Sequence, residues 1–380
     1  MSTHHPIAVI GGGLGGLTAA RVLHVHGIPS SVFELEPGRE ARVQGGMLDI
    51  HEHNGQHAIR AGGLWDEFAA IIHRGGEATR ILDSRATVLF DEQDDGELRR
   101  PEVDRGRLRD ILIGSLPEGT IRWGRRATGV TRVEEGRWQV RFADGETITT
   151  DLLIGADGAW SKVRPRLTDA WPAYTGISFV QADLHDAATR HPAQAAAMGA
   201  GMLFALQGGT GILGHRETDG SLHVYLGLRV PENWIDTVDW ADTRAAEQAV
   251  LAHLEGWDES LRGLIGNADT GLTPRRIAAL PVGISWDRVP GVTLLGDAAH
   301  VMSPFAGEGA NLAMYDGMAL ALAIAEHPGD TEAALTAYEA ALFPRSAEAA
   351  GESARSLEML FRADSPQGLL DMFASHAAER

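Results

Sequence analysis

No cysteine occurs in this chain. Disulfides, thiolate nucleophiles and zinc held by sulfur are therefore excluded, although missing cysteines do not fix a compartment. Lysine is almost as scarce: Lys162 is the only one against abundant arginine, a bias that reads as codon preference and carries no mechanism. Long apolar runs are also lacking. The longest, Met318 to Ala325, is far too short to span a membrane, and the N-terminus passes from polar residues straight into Ile7-Ala8-Val9-Ile10. A soluble, cytoplasmic protein with no membrane partner is expected. Positive charge is in deficit: the formal net charge is -19, which opposes nonspecific attraction to nucleic acid, and no nucleic-acid partner is expected.

What is present is a chain of 380 residues, 44% hydrophobic, enough for a large core and more than one lobe. The expected class is α/β: a Rossmann-like dinucleotide domain interleaved with an antiparallel-sheet domain, followed by C-terminal helices. The spacing predicts a strand at Ile7 to Ile10, a helix over Leu17 to His26 closed by Gly27 and Pro29, and a second strand from Ser31 to Leu35. Leu108, Ile111, Leu112 and Leu116 recur at helical spacing, with Arg107 and Arg109 on other faces. A meander around Trp138, Val140 and Phe142 returns to the apolar strand Leu152-Leu153-Ile154. From about Tyr174 to Val230 the pattern is mainly β: Phe179, Gln181 and Asp183 share one face, while His223 and Tyr225 alternate with the apolar set Leu222, Val224, Leu226 and Leu228. Val292 to Leu295 resumes the first lobe. The expected boundaries are thus 1–170 with 272–345, 171–271 for the inserted sheet, and 346–380 for a C-terminal helical segment. Pro328-Gly329, Pro344 and Pro366 are expected to punctuate the final helices.

Gly11-Gly12-Gly13-Leu14-Gly15-Gly16 contains G-x-G-x-x-G directly after a strand and at the start of a helix. Gly11 permits the tight turn, Gly13 lets the backbone approach a pyrophosphate, and Gly16 allows close helix-to-strand packing. Glu34 ends the second strand, where a carboxylate can receive adenosine ribose hydroxyls. The motif alone does not separate FAD from NAD. Two further loops follow buried strands: Gly155-Ala156-Asp157-Gly158 and Gly296-Asp297-Ala298-Ala299-His300. In an open α/β sheet ligands gather beyond the carboxyl ends of the strands, so the three loops can meet around one extended dinucleotide. Asp297 can then accept ribityl hydroxyls, and Ala306-Gly307-Glu308-Gly309-Ala310-Asn311 opens a helix whose amides face the flavin side.

These motifs resemble the group A flavoprotein monooxygenases, the single-component aromatic hydroxylases of the para-hydroxybenzoate hydroxylase type, over nearly the whole chain. Arg39 to His51, Gln181-Ala182-Asp183 and His300 to Gly307 are similar, more narrowly, to the tetracycline-inactivating monooxygenases. The resemblance implies FAD and NADPH as cofactors, O2 as co-substrate, and hydroxylation of an aromatic or polyketide small molecule through a flavin C4a-hydroperoxide. It implies that Arg109 and Asp297 contact FAD, that Asp49 lies beside the flavin, that Arg42 serves FAD or NADPH, and that Asp157 belongs to nucleotide binding. Gly45, Gly46, Pro304, Gly307, Gly309 and Ala310 are side-chain-poor positions suited to close approach to the ring, with Phe305 as an apolar wall. Gln181, His223, Phe305, Gly307 and Met359 are the candidate substrate contacts, and a monomer is expected. Leu35 stands where many members carry arginine. Gly201 stands where the tetracycline-inactivating enzymes present an arginine to substrate, which points to a flatter or less anionic molecule.

The W-x-W-x-I-P signature of flavin-dependent halogenases is missing. A flavin-dependent reductase is the alternative enzyme reading, and a nonenzymatic dinucleotide sensor the alternative of another class. No metal is expected: His24 and His26 do not share a helical face, and His51, His53 and His57 lack an H-E-x-x-H pattern.

Overall fold

Ile7, Ala8, Val9 and Ile10 are all buried, because the strand they complete, Thr3–Ile10, has parallel neighbours on both sides and helices over it. The computed structural model describes residues 3–41 and 46–378. Ile10 pairs with Phe33 of Ser31–Phe33 on one side and with Gly155 of Thr147–Gly155 on the other, and Gly155 pairs in turn with Leu294 of Val292–Leu294. Four parallel strands therefore end level with one another, each running into a loop singled out above. The lower half of Thr147–Gly155 also carries the antiparallel meander, Arg137–Phe142 and Ala127–Glu134.

The helix Leu14–Val25 packs face to face with Glu308–Glu326. Glycine makes this possible: a Cβ on Gly317 would lie 2.3 Å from the Gly15 carbonyl, and one on Gly15 would lie 2.6 Å from that of Ala313. The first turn of Leu14–Val25 is thereby held against the second turn of Glu308–Glu326, next to Gly296 at the carboxyl edge of the sheet.

The second sheet has the order Thr273–Ala279, Ala173–Leu184, Leu222–Arg229, Thr210–Arg216, Met202–Gln207, Thr79–Leu82, Val88–Glu92. Sheet membership does not follow the expected boundaries. Two strands from within 1–170 and one from within 272–345 are recruited, because Thr79–Leu82 pairs in parallel with Met202–Gln207 and Thr273–Ala279 pairs with Ala173–Leu184. One face of the sheet buries Val180, Ala182, Val224, Leu226 and Leu228 against the helices Thr243–Leu251 and Glu259–Gly266. The opposite face gathers Ile177, Phe179, Leu206, Leu357, Leu360 and Phe361 into a separate cluster.

Pro344 does not end a helix. Thr331–Leu360 runs through it and across the expected boundary at 345/346. Buried Leu335, Tyr338 and Leu342 anchor its first half on the dinucleotide lobe, and Leu357 and Leu360 anchor its end on the second sheet. Packing at both ends outweighs the local cost of a proline in a helix interior, about 3 kcal/mol. Among the described residues no helix is long and apolar enough to cross a membrane.

Candidate active site

Gly11 has φ +112 and leaves no room for a side chain: a Cβ would lie 2.1 Å from the Ala156 carbonyl oxygen. Gly16 is equally closed, 2.2 Å from the Gly11 carbonyl, whereas a Cβ on Gly13 would meet nothing within 4 Å. Two glycines thus close the turn and the third opens it toward a ligand. Gly13 caps the helix Leu14–Val25 without a side chain, so the first-turn amides remain available to an anion. Glu34 is buried and accepts from the Gly12 amide at 2.5 Å and the Glu36 amide at 2.9 Å. Arg109 is also buried; it pairs with Glu36 at 3.0 Å and donates to the Gly12 carbonyl at 3.3 Å. The structure places both residues at the rim of the glycine turn, bonded to protein groups there.

Asp157 accepts from the Ser161 hydroxyl at 2.5 Å and from the Lys162 amide at 2.6 Å, which ties the turn after the second strand. Burial pushes its carboxyl up despite those bonds. Arg164 is fully buried and donates to the Ala298 carbonyl at 3.0 Å, stapling the second loop to the third. Asp297 combines two properties that pull apart. Its side chain reaches solvent, yet protein crowds it enough that desolvation raises its carboxyl above the ordinary 3.8. That exposure leaves the carboxylate accessible from outside the protein. Beneath the loop, Asp316 accepts from the Gly296 amide at 3.0 Å, contacts His300 Nε2 at 2.6 Å and pairs with Arg345 at 2.9 Å. Sequence reading missed Arg164, Asp316 and Arg345: the first lies in a three-residue turn and the other two inside long helices, where a charge draws no notice.

The lobes meet at the short ribbon of Met47–Asp49 and Glu102–Asp104. Gly307, at φ +67, approaches Asp49 so closely that a Cβ would lie 2.9 Å from Oδ2. Asn311 donates to the Asp49 carbonyl and accepts from the His51 amide, locking ribbon to helix. His51 lies next to the ribbon. It is buried between Asp49 (2.8 Å), Glu308 (3.0 Å) and Arg100 (2.7 Å); burial alone would lower its pKa, but the two carboxylates outweigh it and the net shift is upward. His51, His53 and Glu308 bring one ligand-type atom each within 4.8 Å. Both nitrogens of His51 are already engaged, and the cluster acts as a hydrogen-bonded brace. Gly309 offers open space at its Cβ position, Pro304 is exposed, and Ala310 lies half-buried in the first helical turn. Arg42 and Gly45 lie outside the described residues.

On the second sheet, ring contacts run in one row. His223 meets Tyr225 edge-on at 4.7 Å, Tyr225 stacks on Phe179 at 5.1 Å, Phe179 meets Phe305 at 5.5 Å, and Phe305 meets Phe361 at 5.3 Å. Gly46, at φ +92, faces the start of this row, its Cβ position 3.9 Å from His223 and from the Tyr225 hydroxyl. Gln181 pairs in register with Tyr225, and its Oε1 is buried without a partner. Met359 packs on Gly368 at the far end of the cluster. Gly201 cannot carry a side chain, because a Cβ there would lie 2.3 Å from the Ala78 carbonyl and 2.5 Å from that of Gly76.

The residues fit FAD. Three spacings of about 4.8 Å separate the strand that ends at Phe33 from the one that ends at Leu294, roughly 14 Å in all. That span, with an acid at each end and the side-chain-free N-terminus of Leu14–Val25 between, suits an extended dinucleotide. Fold and site together define a flavin-dependent monooxygenase. The chain belongs to the family whose model is described as FAD binding domain, which matches residues 4–353. It is 29% identical over 425 residues to Monooxygenase asqM of Emericella nidulans, covering 93% of this chain and 95% of that protein. Among solved structures, Klebsiella pneumoniae HpxO complexed with FAD and uric acid shares the fold at TM-score 0.80 and 22% identity, over 99% of this chain and 93% of that one. The tetracycline destructase Tet(51) shares it at TM-score 0.72 and 19% identity, over 97% and 93%.

Proposed function

We propose that this chain is an NADPH-using, FAD-dependent hydroxylase of a flat aromatic or polycyclic small molecule, acting as a cytoplasmic monomer. The observation that carries the reading is the unbroken aromatic row from His223 to Phe361, which starts opposite Gly46 and includes Phe305, two residues from Gly307. Planar rings favour edge and offset contacts with other rings, so such a wall selects a planar substrate. HpxO, of the same fold, was solved with uric acid, itself a flat ring system.

In this reading Gly11, Gly13 and Gly16 shape the pyrophosphate turn, Glu34 and Arg109 hold its adenosine side, and Asp157 and Asp297 serve the ribityl side. Gly46, Asp49, Pro304, Gly307, Gly309 and Ala310 form the ring end. Bound FAD supplies the transfer of electrons from NADPH and the activation of O2. The chain's own contribution is to hold the substrate against the ring end and exclude water: Phe179, Tyr225 and Phe305 wall the cavity, while Gln181, His223 and Met359 line it. The second sheet, with its recruited strands Thr79–Leu82, Val88–Glu92 and Thr273–Ala279, is the substrate lobe. The closed backbone contact at Gly201 supports a substrate that needs no arginine from that position.

Purified protein is expected to be yellow, and an aromatic library is expected to stimulate NADPH oxidation with a product heavier by one oxygen. A product heavier by two hydrogens instead would replace this reading with that of a reductase.

A further inference from the structure

The strands Ala127–Glu134 and Arg137–Phe142 pair so that Gly129 faces Arg141 and Thr131 faces Gln139, while Val130 and Val140 turn to the other side and are buried. Gly129 has no side chain to fill its place, and a Cβ there would meet nothing within 4 Å. The outer face of the meander is left with a gap beside Arg141. A second wall comes from the loop that follows Asp157-Gly158. Arg164 is buried and directs its donors to the Ala159 and Ala298 carbonyls, which leaves Pro165 and Arg166 of the same short turn exposed. Lys162, the single lysine of the chain, is exposed on this loop as well, and Trp171 closes it. Between loop and meander lies a hollow of ≈ 270 Å³, whose lining includes Gln139, Arg141, Lys162, Arg166 and Trp171.

Charge and aromatic surface both stand out at this hollow. On the same meander Arg125 pairs with Asp144 and Glu146, and Arg137 with Glu134 and Asp151. Arg141, Lys162 and Arg166 have no such carboxylate partner among the described residues. In a chain of net charge -19, three unpaired cations around one hollow are a local excess of the scarce sign. Trp171 is 53% exposed and Trp160, whose ring lies 5.7 Å away, is 54% exposed, although an indole carries a large apolar area. Exposed apolar surface rimmed by polar groups marks a binding surface.

We propose that this hollow binds a small aromatic anion, with the ring against Trp171 and the carboxylate or phosphate among Arg141, Lys162 and Arg166. The two guanidinium groups offer forked donors to such oxygens, Lys162 adds a compact third charge, and the Gln139 amide adds a neutral donor. The volume suits one ring with one anionic group, since it lies just under the roughly 300–1,000 Å³ of pockets for drug-sized molecules. An anionic membrane is disfavoured as the occupant, because the hollow is concave and the chain's overall charge repels such a surface. None of the lining residues belongs to the ring end or to the aromatic row, so this site is separate from that of the oxidised substrate. It nevertheless adjoins the flavin loops. Ser161 lines the hollow and donates to Asp157, and the Arg164 guanidinium that holds the Ala298 carbonyl lies 5.9 Å from the Trp171 ring.

Calorimetric titration of the FAD-loaded protein with phenyl phosphate tests the assignment, with inorganic phosphate as the ring-free control. Phenyl phosphate is expected to bind roughly tenfold more tightly than inorganic phosphate, through the ring contact, and to bind less tightly as salt is raised. Trp171→Ala is expected to remove the preference for phenyl phosphate, and the double variant Lys162→Gln with Arg166→Gln to remove most of the salt dependence, both with FAD content unchanged. Arg141→Lys, which keeps the charge and loses the fork, is expected to retain part of the affinity. No binding of phenyl phosphate, equal affinity for the two anions, or unchanged affinity in the double variant overturns the proposal. Binding that survives Trp171→Ala and is lost in Phe305→Ala would place the anion at the aromatic row and overturns it too. All of these outcomes leave the flavoprotein reading intact, which a protein that cannot be loaded with FAD would remove.

Discussion

Asp316 and His300 form a 2.6 Å hydrogen bond directly under the Gly296-Asp297 turn, with both side chains buried. Burial alone would lower His300 and raise Asp316. Their mutual attraction, with Arg345 adding to it on Asp316, reverses both, so His300 titrates above 6.5 and Asp316 below 3.8. The stabilisation from His300 is complete below 6.5 and fades as pH rises through its raised value. That from Asp316 is complete above 3.8 and fades as pH falls through its lowered value. Asp316→Asn is expected to cost about 3–5 kcal/mol, the cost of breaking a buried pair. Denaturant unfolding across pH should show the largest deficit between 3.8 and 6.5; a deficit independent of pH would show that the ion pair is not its source.

Gly307→Ala is expected to reduce bound FAD sharply. The substitution meets two obstacles, a left-handed φ of +67 and an Asp49 oxygen 2.9 Å from the new Cβ. Backbone strain of this kind costs about 1–3 kcal/mol. Adding Asp49→Ala should remove the clash and leave the strain, so the double variant is expected to recover FAD content only in part; the 450-nm-region absorbance per chain measures it at about that wavelength.

Glu34→Ala strips the Gly12 and Glu36 amides of their shared acceptor. A ribose hydroxyl donating to the same carboxylate would lose its acceptor as well; one hydrogen bond to a charged group contributes about 1.5–3 kcal/mol, so FAD should bind roughly 10-fold to 150-fold more weakly. Titration of the apoprotein with FAD reads this directly, and unchanged affinity would remove Glu34 from the adenosine site.

Glu217 carries a buried carboxyl pushed up to about 7 by desolvation. An unfolded chain ionises it near 4.5, so the fold loses stability as pH rises from 4.5 to about 7. Glu217→Gln mimics the protonated form. The variant is expected to match wild type below pH 4.5 and to be the more stable of the two above pH 7. Thermal melting at several pH values checks the direction, and a variant less stable above neutrality contradicts it.

The parallel sheet and its three strand-end loops were legible because each joins a short apolar run to glycine or Asp-Gly, a local pattern with one physical meaning. The alternation that puts Phe179, Gln181 and Asp183 on one face was likewise local, and that is the face that carries the ring row. Recruitment of Thr79–Leu82 into the second sheet was not legible, because its partner Met202–Gln207 lies more than a hundred residues away and pairing leaves no mark in a four-residue run. Arg109 shows another limit: its spacing gave the helix, but only coordinates reveal that its guanidinium already holds Glu36. Asp183 stood in view as a polar residue on a strand. Its bond to His223 depends on cross-strand register, which sequence periodicity does not set.

The helix Thr331–Leu360 is pinned at one end in the dinucleotide core and at the other against the ring row of the second sheet. It works as a tie rod, so the two sheets cannot shift apart without flexing it or tearing out one of its anchorages. The least resistant place to flex is Pro344, where a turn already lacks its backbone bond. Any such shift would then be governed from a point remote from both anchorages.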